Sequence, residues 1–319
     1  MASARQYVAG FAITAMAVGL VVASAGTVFA EPTGYPPGPR AMGSMQSRPF
    51  LPTLEGGAYA VDGNDLYVAD IEFHRVIKIV AGEEEPIALP FTGLHGPAGV
   101  ATENGNVYVA DTRNNRVLAL ADGESTPKTL PFEGLSSPTA IAVEAGTVYV
   151  ADTWNGRVLA LRPGDSAATV LPFGEIGRPG HLAVENGNVF VADSSGKRVI
   201  ELPSGATTPI ILPFQAVHEI AGLTVDNGDV YFLDLEPWIS IPFGSLTQPP
   251  AADAIRRVPA GNATPITLRF DGFRDPAVLT IDNGAAYLVD GVRERIPTPL
   301  TTSPSPGSGA GSLGLLFGS

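Results

Sequence analysis

The 319-residue sequence has no cysteine and few charges, with charged residues at 16% of the chain. Without cysteine, disulfides, thiolate metal sites and cysteine nucleophiles are all excluded. Basic residues are also scarce, 19 Lys and Arg against 32 Asp and Glu, for a formal net charge of −13. Such a surface repels phosphate backbones, so nucleic acid is excluded as a partner. Long amphipathic helical patterns are missing, as are a Gly-x-Ser-x-Gly elbow, an HExxH motif and a glycine-rich phosphate loop ahead of a helix. What is abundant is Gly (37) and Pro (29) beside 45% hydrophobic residues, the composition of many short strands joined by tight turns.

The two ends stand apart. Arg5 precedes an uncharged apolar and small-residue stretch from Tyr7 to Ala30, closing on Val28-Phe29-Ala30. This predicts an export signal over 1–30, cleaved before Glu31, leaving no transmembrane span. An uncleaved anchor is the alternative, because the stretch is long enough to cross a bilayer. Residues 31–47 read as a Pro/Gly-rich linker, and 301–319 as a flexible Ser/Gly/Pro-rich tail.

Between the flanks the sequence repeats. Tyr-Val-Ala-Asp ends at Asp70, Asp111 and Asp152, and returns as variants at Asp193, Asp234 and Asp290, with spacings of 41, 41, 41, 41 and 56. Phe91, Phe132, Phe173, Phe214 and Phe270 keep the same spacings, so an insertion of 15 residues follows Asp234. Each unit holds four short apolar runs. Asn-Gly at 104, 186, 227 and 283 separates the first two, the chemistry of a type I′ hairpin. Four antiparallel strands repeated at a fixed period predict an all-β fold, a β-propeller spanning 48–300. Six first strands predict six four-stranded blades. Phe50 lies 41 residues before Phe91, so the N-terminal segment 48–51 is expected to close the ring as a strand of the last blade.

The pattern Asn-x-Val-Tyr-Val-Ala-Asp-Thr-x-Asn-x-Arg-Val resembles the NHL repeat. Leu-Pro-Phe-x-Gly-Leu at 89–94 and 130–135 is similar to the extracellular sensor propeller of mycobacterial receptor serine/threonine kinases. That resemblance implies an actinobacterial, extracytoplasmic recognition propeller. The wider family also implies a rival reading, because NHL-like propellers include a zinc- and histidine-using lyase and related propellers include lactonases.

Residues repeated in nearly every unit are explained by the fold. The Asp/Arg pairs five apart, from Asp70/Arg75 to Asp290/Arg295, are therefore expected to clamp turns. Unrepeated residues on the second-to-third turns and the connections between blades are the candidates for binding. These are Phe73, His74, His95, Arg113, Trp154, His181, His218, Trp238, Phe243 and Phe273. His95 and His218 hold equivalent positions three units apart and His181 opens a first strand, so the three could converge on zinc, the alternative to a cofactor-free protein. The function expected is a monomeric secreted recognition or scaffold module for an extracellular protein, peptide or cell-envelope glycan. The alternative is a metal-dependent lyase or lactonase-like hydrolase. Sequencing the N-terminus of the exported form should give Glu31 as the first residue; full-length chain found only in membranes would mark an anchor.

Overall fold

A computed structural model describes residues 58–63, 65–80, 83, 85–214, 217–234, 254–261, 264–269, 276–282, 285–290 and 300–301. The chain runs as a succession of antiparallel sheets. The first is β1 (Ala58–Asp62), β2 (Asp65–Asp70), β3 (Arg75–Ile79) and β4 (Ile87–Ala88). The second is β5 (Gly99–Glu103), β6 (Asn106–Asp111), β7 (Arg116–Leu120) and β8 (Lys128–Thr129). The third is β9 (Pro138–Glu144), β10 (Thr147–Asp152), β11 (Arg157–Leu161) and β12 (Thr169–Val170). The fourth is β13 (Pro179–Glu185), β14 (Asn188–Asp193), β15 (Arg198–Leu202) and β16 (Ile210–Ile211). The fifth is β17 (Ile220–Asp226), β18 (Asp229–Asp234), β19 (Ala254–Val258) and β20 (Ile266–Arg269). A three-stranded sheet of β21 (Pro276–Asp282), β22 (Ala285–Asp290) and β23 (Leu300–Thr301) follows.

The fold is an all-β propeller with four-stranded antiparallel blades. The expected six four-stranded blades, however, are corrected to five. The last sheet has three strands, and the partner of β22 is the two-residue strand Leu300–Thr301. It lies beyond Pro297 and Pro299, which have no N–H to give a ladder. Counting first strands therefore overstated the number of complete blades. The segment 48–51, expected to close the ring, lies outside the described residues.

The hairpin chemistry is as expected. Asn104/Gly105, Asn186/Gly187 and Asn227/Gly228 all have positive φ at both residues, the geometry that Asn-Gly supplies at low cost. In the third blade Ala145, at φ 49°, stands in the same place before Gly146. Leu-Pro-Phe is also explained. The N–H groups of Phe91, Phe132, Phe173 and Phe214 each donate to the Leu carbonyl two residues back, closing a tight turn over a proline whose φ is already fixed.

The core lies between blades. Tyr67 and Val76 of the first blade pack with Val100, Val107 and Val109 of the second, and comparable clusters join the second to the third, the third to the fourth and the fourth to the fifth. Stacked apolar faces fix little about registry, because burial is non-directional. Two sets of carboxylates supply it.

The first set ends the second strands. Asp111 and Asp152 are fully buried, and each accepts a backbone N–H from the connection arriving from the previous blade: His95 at 2.7 Å and Ser136 at 2.6 Å. The other oxygen takes the expected arginine, Arg116 and Arg157, both at 2.7 Å, and the turn amides of Asn114 and Asn155. Asp70/Arg75 and Asp193/Arg198 repeat the arrangement at 2.9 and 3.0 Å. Arg295 lies outside the described residues.

The second set, which sequence reasoning did not single out, sits at the opposite face. Glu103, Glu144 and Glu185, each closing a first strand, clasp two N–H groups of the next blade's hairpin at 2.6–2.8 Å. Asp62 accepts a single N–H of this kind, that of Gly105, at 2.6 Å. Their 41-residue spacing is the signal that could have revealed them.

The two sets should differ in cost. Asp152→Ala leaves a half-buried guanidinium and two amides at a buried junction without their acceptor, and should lower unfolding free energy by about 3 kcal/mol. Glu144→Ala opens a more solvated clasp and should cost about 1 kcal/mol. Urea melts of both variants check the order; equal losses would reject it.

Candidate functional site

Second strands, third strands and the connections between blades define one face, here called the upper face, carrying turns 71–74, 112–115, 153–156 and 194–197. The Asp clamps hold these turns rigidly. In the third blade the turn is a short 3-10 helix, Thr153–Asn155, ended by Gly156 at φ 59°. A Cβ at Gly156 would sit 2.6 Å from the Ile176 carbonyl oxygen, so the close approach itself demands glycine.

The expected binding residues separate into two patches. Across the first and second blades the structure gathers Phe73, His74, His95 and Arg113. His74 is left-handed (φ 54°) and its Nδ1 accepts the Gly96 N–H at 3.0 Å. Asn115 does the same one blade on, its side-chain oxygen accepting the Ser137 N–H at 2.7 Å, so His74 substitutes for an asparagine in a repeated clasp. The His74 and His95 rings meet edge-to-face at 5.1 Å. Arg113 lies over Gly96, where a Cβ would come within 3.1 Å of its Cδ. Phe73 is 49% exposed, with the Arg75 guanidinium 5.1 Å from its ring centre.

The second patch is at the third and fourth blades. Trp154, at the turn tip, is 68% exposed, with its backbone N–H donated to the Ser136 carbonyl at 3.1 Å. The guanidinium of Arg178, from the next connection, stands 5.0 Å from the indole centre. Arg178 was not anticipated, although its equivalents are Gly96 and Ser137, a departure of the kind that marked the other candidates. Lys197, in the left-handed slot of His74 and Asn115 (φ 49°), was missed for the same reason. Trp238, Phe243 and Phe273 lie outside the described residues.

His95, His181 and His218, the alternative zinc set, are turned to different partners. Among the described residues no group of three or more His, Asp or Glu side chains is placed to share a metal. His95 is turned to His74, and His218 places Nδ1 3.7 Å from Asp234. His181 sits half-buried on β13, hydrogen-bonded to the backbone of Ile220 in the next blade. Identical backbone positions thus carry divergent side chains, and these residues do not fit a zinc site.

Asp234 also shows how the insertion is absorbed. Its guanidinium partner, Arg256, is 22 residues away rather than five, with Nη2 at 2.8 Å. Arg256 lies two residues into β19 from Ala254, the residue opposite Asp234, so strand alternation keeps it on the same face.

The repeat itself has a known counterpart. The NHL repeat model matches residues 94–120. The chain carries an NHL repeat. The matched NHL segment contains His95, Asp111, Arg113 and Arg116, so one clamp and part of the first patch belong to it. Among curated proteins no relative matches the chain. Solved structures similar in fold include a chain of the nidogen/laminin complex (16% identity, 67% of this chain and 79% of that one, TM-score 0.54). Virginiamycin B lyase from Staphylococcus aureus aligns at 12% identity over 71% and 74%, TM-score 0.55. Kuenenia stuttgartiensis hydrazine synthase aligns at 13% over 78% and 76%, TM-score 0.57. At these identities the likeness is one of fold alone.

Burial lowers the pKa of His181, with the Ile220 hydrogen bond opposing it. The folded state therefore holds this imidazole neutral more firmly than the unfolded chain does. Its contribution to stability is present above the ordinary imidazole pKa and lost as pH falls from there through the lowered folded value. Between pH 7.5 and 5 the melting temperature should drop more in the wild type than in His181→Gln, which keeps a hydrogen-bond donor without titrating. Parallel melting curves would exclude the effect.

Proposed function

We propose that the protein is an exported recognition propeller that binds a cell-envelope or extracellular partner on its upper face. The observation that carries this reading is the distribution of departures from the repeat. Exposed aromatics cap rigid turns at Phe73 and Trp154, each with a guanidinium 5.0–5.1 Å from its ring. Large exposed aromatics beside arginine are the composition of binding hot spots. The Asp/Arg pairs, by contrast, are saturated by hydrogen bonds that hold the blades, so they serve as clamps rather than as acid and base.

Export rests on the apolar segment 7–30 and its small-residue cleavage site. The Leu-Pro-Phe likeness to receptor-kinase sensor propellers points the same way. The fold neighbours leave both classes represented, since one comes from a nidogen/laminin complex and another is a lyase. The enzyme alternative loses its leading arrangement because the three histidines are turned to different partners.

The test is capture of solubilised envelope material by the immobilised exported chain, with bound species identified. Phe73→Ala combined with Trp154→Ala should weaken capture by at least thirtyfold, about 2 kcal/mol, with the melting temperature nearly unchanged. Unaltered capture would reject the upper face, and stoichiometric zinc released by His95→Ala would favour the enzyme reading.

A further inference from the structure

Resting on that reading, we propose that the patch of Trp154, Arg178 and Lys197 binds an anionic saccharide, one whose sugar rings carry carboxylates. Three observations converge on this chemistry.

The first is the platform. Trp154 stands on a turn locked from several sides: Thr153 Oγ1 donates to the Pro179 carbonyl at 2.8 Å, and Asn155 binds both Asp152 and the Gly134 carbonyl at 2.8 Å. The indole is thus held out at 68% exposure without a mobile loop to order on binding. A flat apolar ring at a fixed height suits the apolar face of a sugar ring, and pre-organisation avoids an entropic cost.

The second is charge. In a chain of net charge −13, Arg178 and Lys197 are exposed cations with no ion pair among the described residues. The Arg178 guanidinium stands over the indole ring, 5.0 Å from its centre, and Lys197 lies on the following turn. The turn that carries Lys197 also holds Ser194, Ser195 and Gly196, all exposed, and so offers two hydroxyls. Glu175 is the single acid in the adjoining connection, residues 171–180. Apolar platform, hydroxyls and a forked cation match ring face, hydroxyls and carboxylate of one sugar residue.

The third observation separates a saccharide from an acidic peptide. Extended peptides gain affinity by pairing with free backbone groups at a sheet edge, and helical ones by filling an apolar groove. Here the N–H groups of Trp154, Gly177, Arg178, Ser194 and Gly196 are already donated, to the Ser136 and Arg178 carbonyls and the Asp193 carboxylate. The edges of the four-stranded blades are their first and fourth strands, and the edge strand that starts at this patch, β13, opens on Pro179, which has no N–H to offer a peptide.

The experiment is titration calorimetry of the exported full chain with an oligogalacturonate of defined length, its methyl ester, and poly-L-glutamate. Oligogalacturonate should bind, and raising salt should weaken it. Its methyl ester, with the same rings and no charge, should bind at least tenfold more weakly. Trp154→Ala and Arg178→Gln should each lose at least tenfold, whereas Trp154→Tyr should retain most of the affinity and all should melt as the wild type does. Equal binding of the ester, unchanged affinity in Trp154→Ala, or tighter binding of poly-L-glutamate would each overturn the proposal. Should no saccharide bind while envelope capture still depends on Trp154, the saccharide inference fails and the recognition reading stands. Loss of both dependences rejects both.

Discussion

The structure depends on a buried carboxylate at the end of the second strand in the five four-stranded blades. Asp111 and Asp152 have no exposed surface, and Asp70, Asp193 and Asp234 very little. Removing a carboxylate from water costs several kcal/mol unless its lone pairs are filled. At Asp111, Asp152 and Asp193 the fold fills them with groups that must come together for blades to be in register: an amide of the arriving connection, an arginine on the third strand and a group from the turn between. Asp193 shows the balance of terms. Burial alone would raise its pKa, but the N–H groups of Gly196, Arg178 and Gly177 together with Arg198 outweigh it, and the net shift is downward. A clamp of that kind discriminates: an apolar face tolerates sliding by a fraction of a residue, whereas a buried charge missing its donor does not.

The opposite face uses the same logic more gently. Glu103, Glu144 and Glu185 reach one blade forward to hairpin amides that solvent also approaches. These clasps use up acidic residues in structural work, and the neighbouring turns add exposed Asp122, Glu124 and Asp165. The lower face is therefore repetitive and acidic, while the upper face is where sequence departs from repeat. Repeated contacts and departures from the repeat are thus divided between two sides of one array of blades.

What could be read from the sequence follows from this division. The period of 41, the Asn-Gly hairpins, the tight turns of Leu-Pro-Phe and the Asp/Arg clamps are local patterns, and among the described residues they occur where the sequence predicted them. The number of complete blades was not legible, because it depends on which strand pairs with β22, and pairing is a long-range choice that spacing does not encode. Arg256 escaped a rule written as five residues apart because the true constraint is a face of a strand, which an insertion leaves intact. The site was half legible for a related reason. Departure from the repeat located Trp154 and His95, but which group each one meets is decided by the residue on the neighbouring turn.

His95 and His218 make that last point sharply. Both donate their backbone N–H to the buried aspartate of the next second strand, at 2.7 and 2.8 Å, so the repeat is obeyed to within 0.1 Å at the main chain. Their imidazoles nonetheless do different things, since His95 faces the His74 ring and His218 faces Asp234. The clamp fixes where a side chain starts, and the adjacent turn fixes where it ends. Functional variation in this fold is therefore written in pairs across a junction, His74 with His95 and Trp154 with Arg178, rather than in single positions of a blade. A repeat-by-repeat comparison of one column at a time misses such pairs. Comparing each turn tip with the connection that packs beside it finds them, because the buried aspartate holds those two segments at a fixed separation and leaves only their side chains free to change.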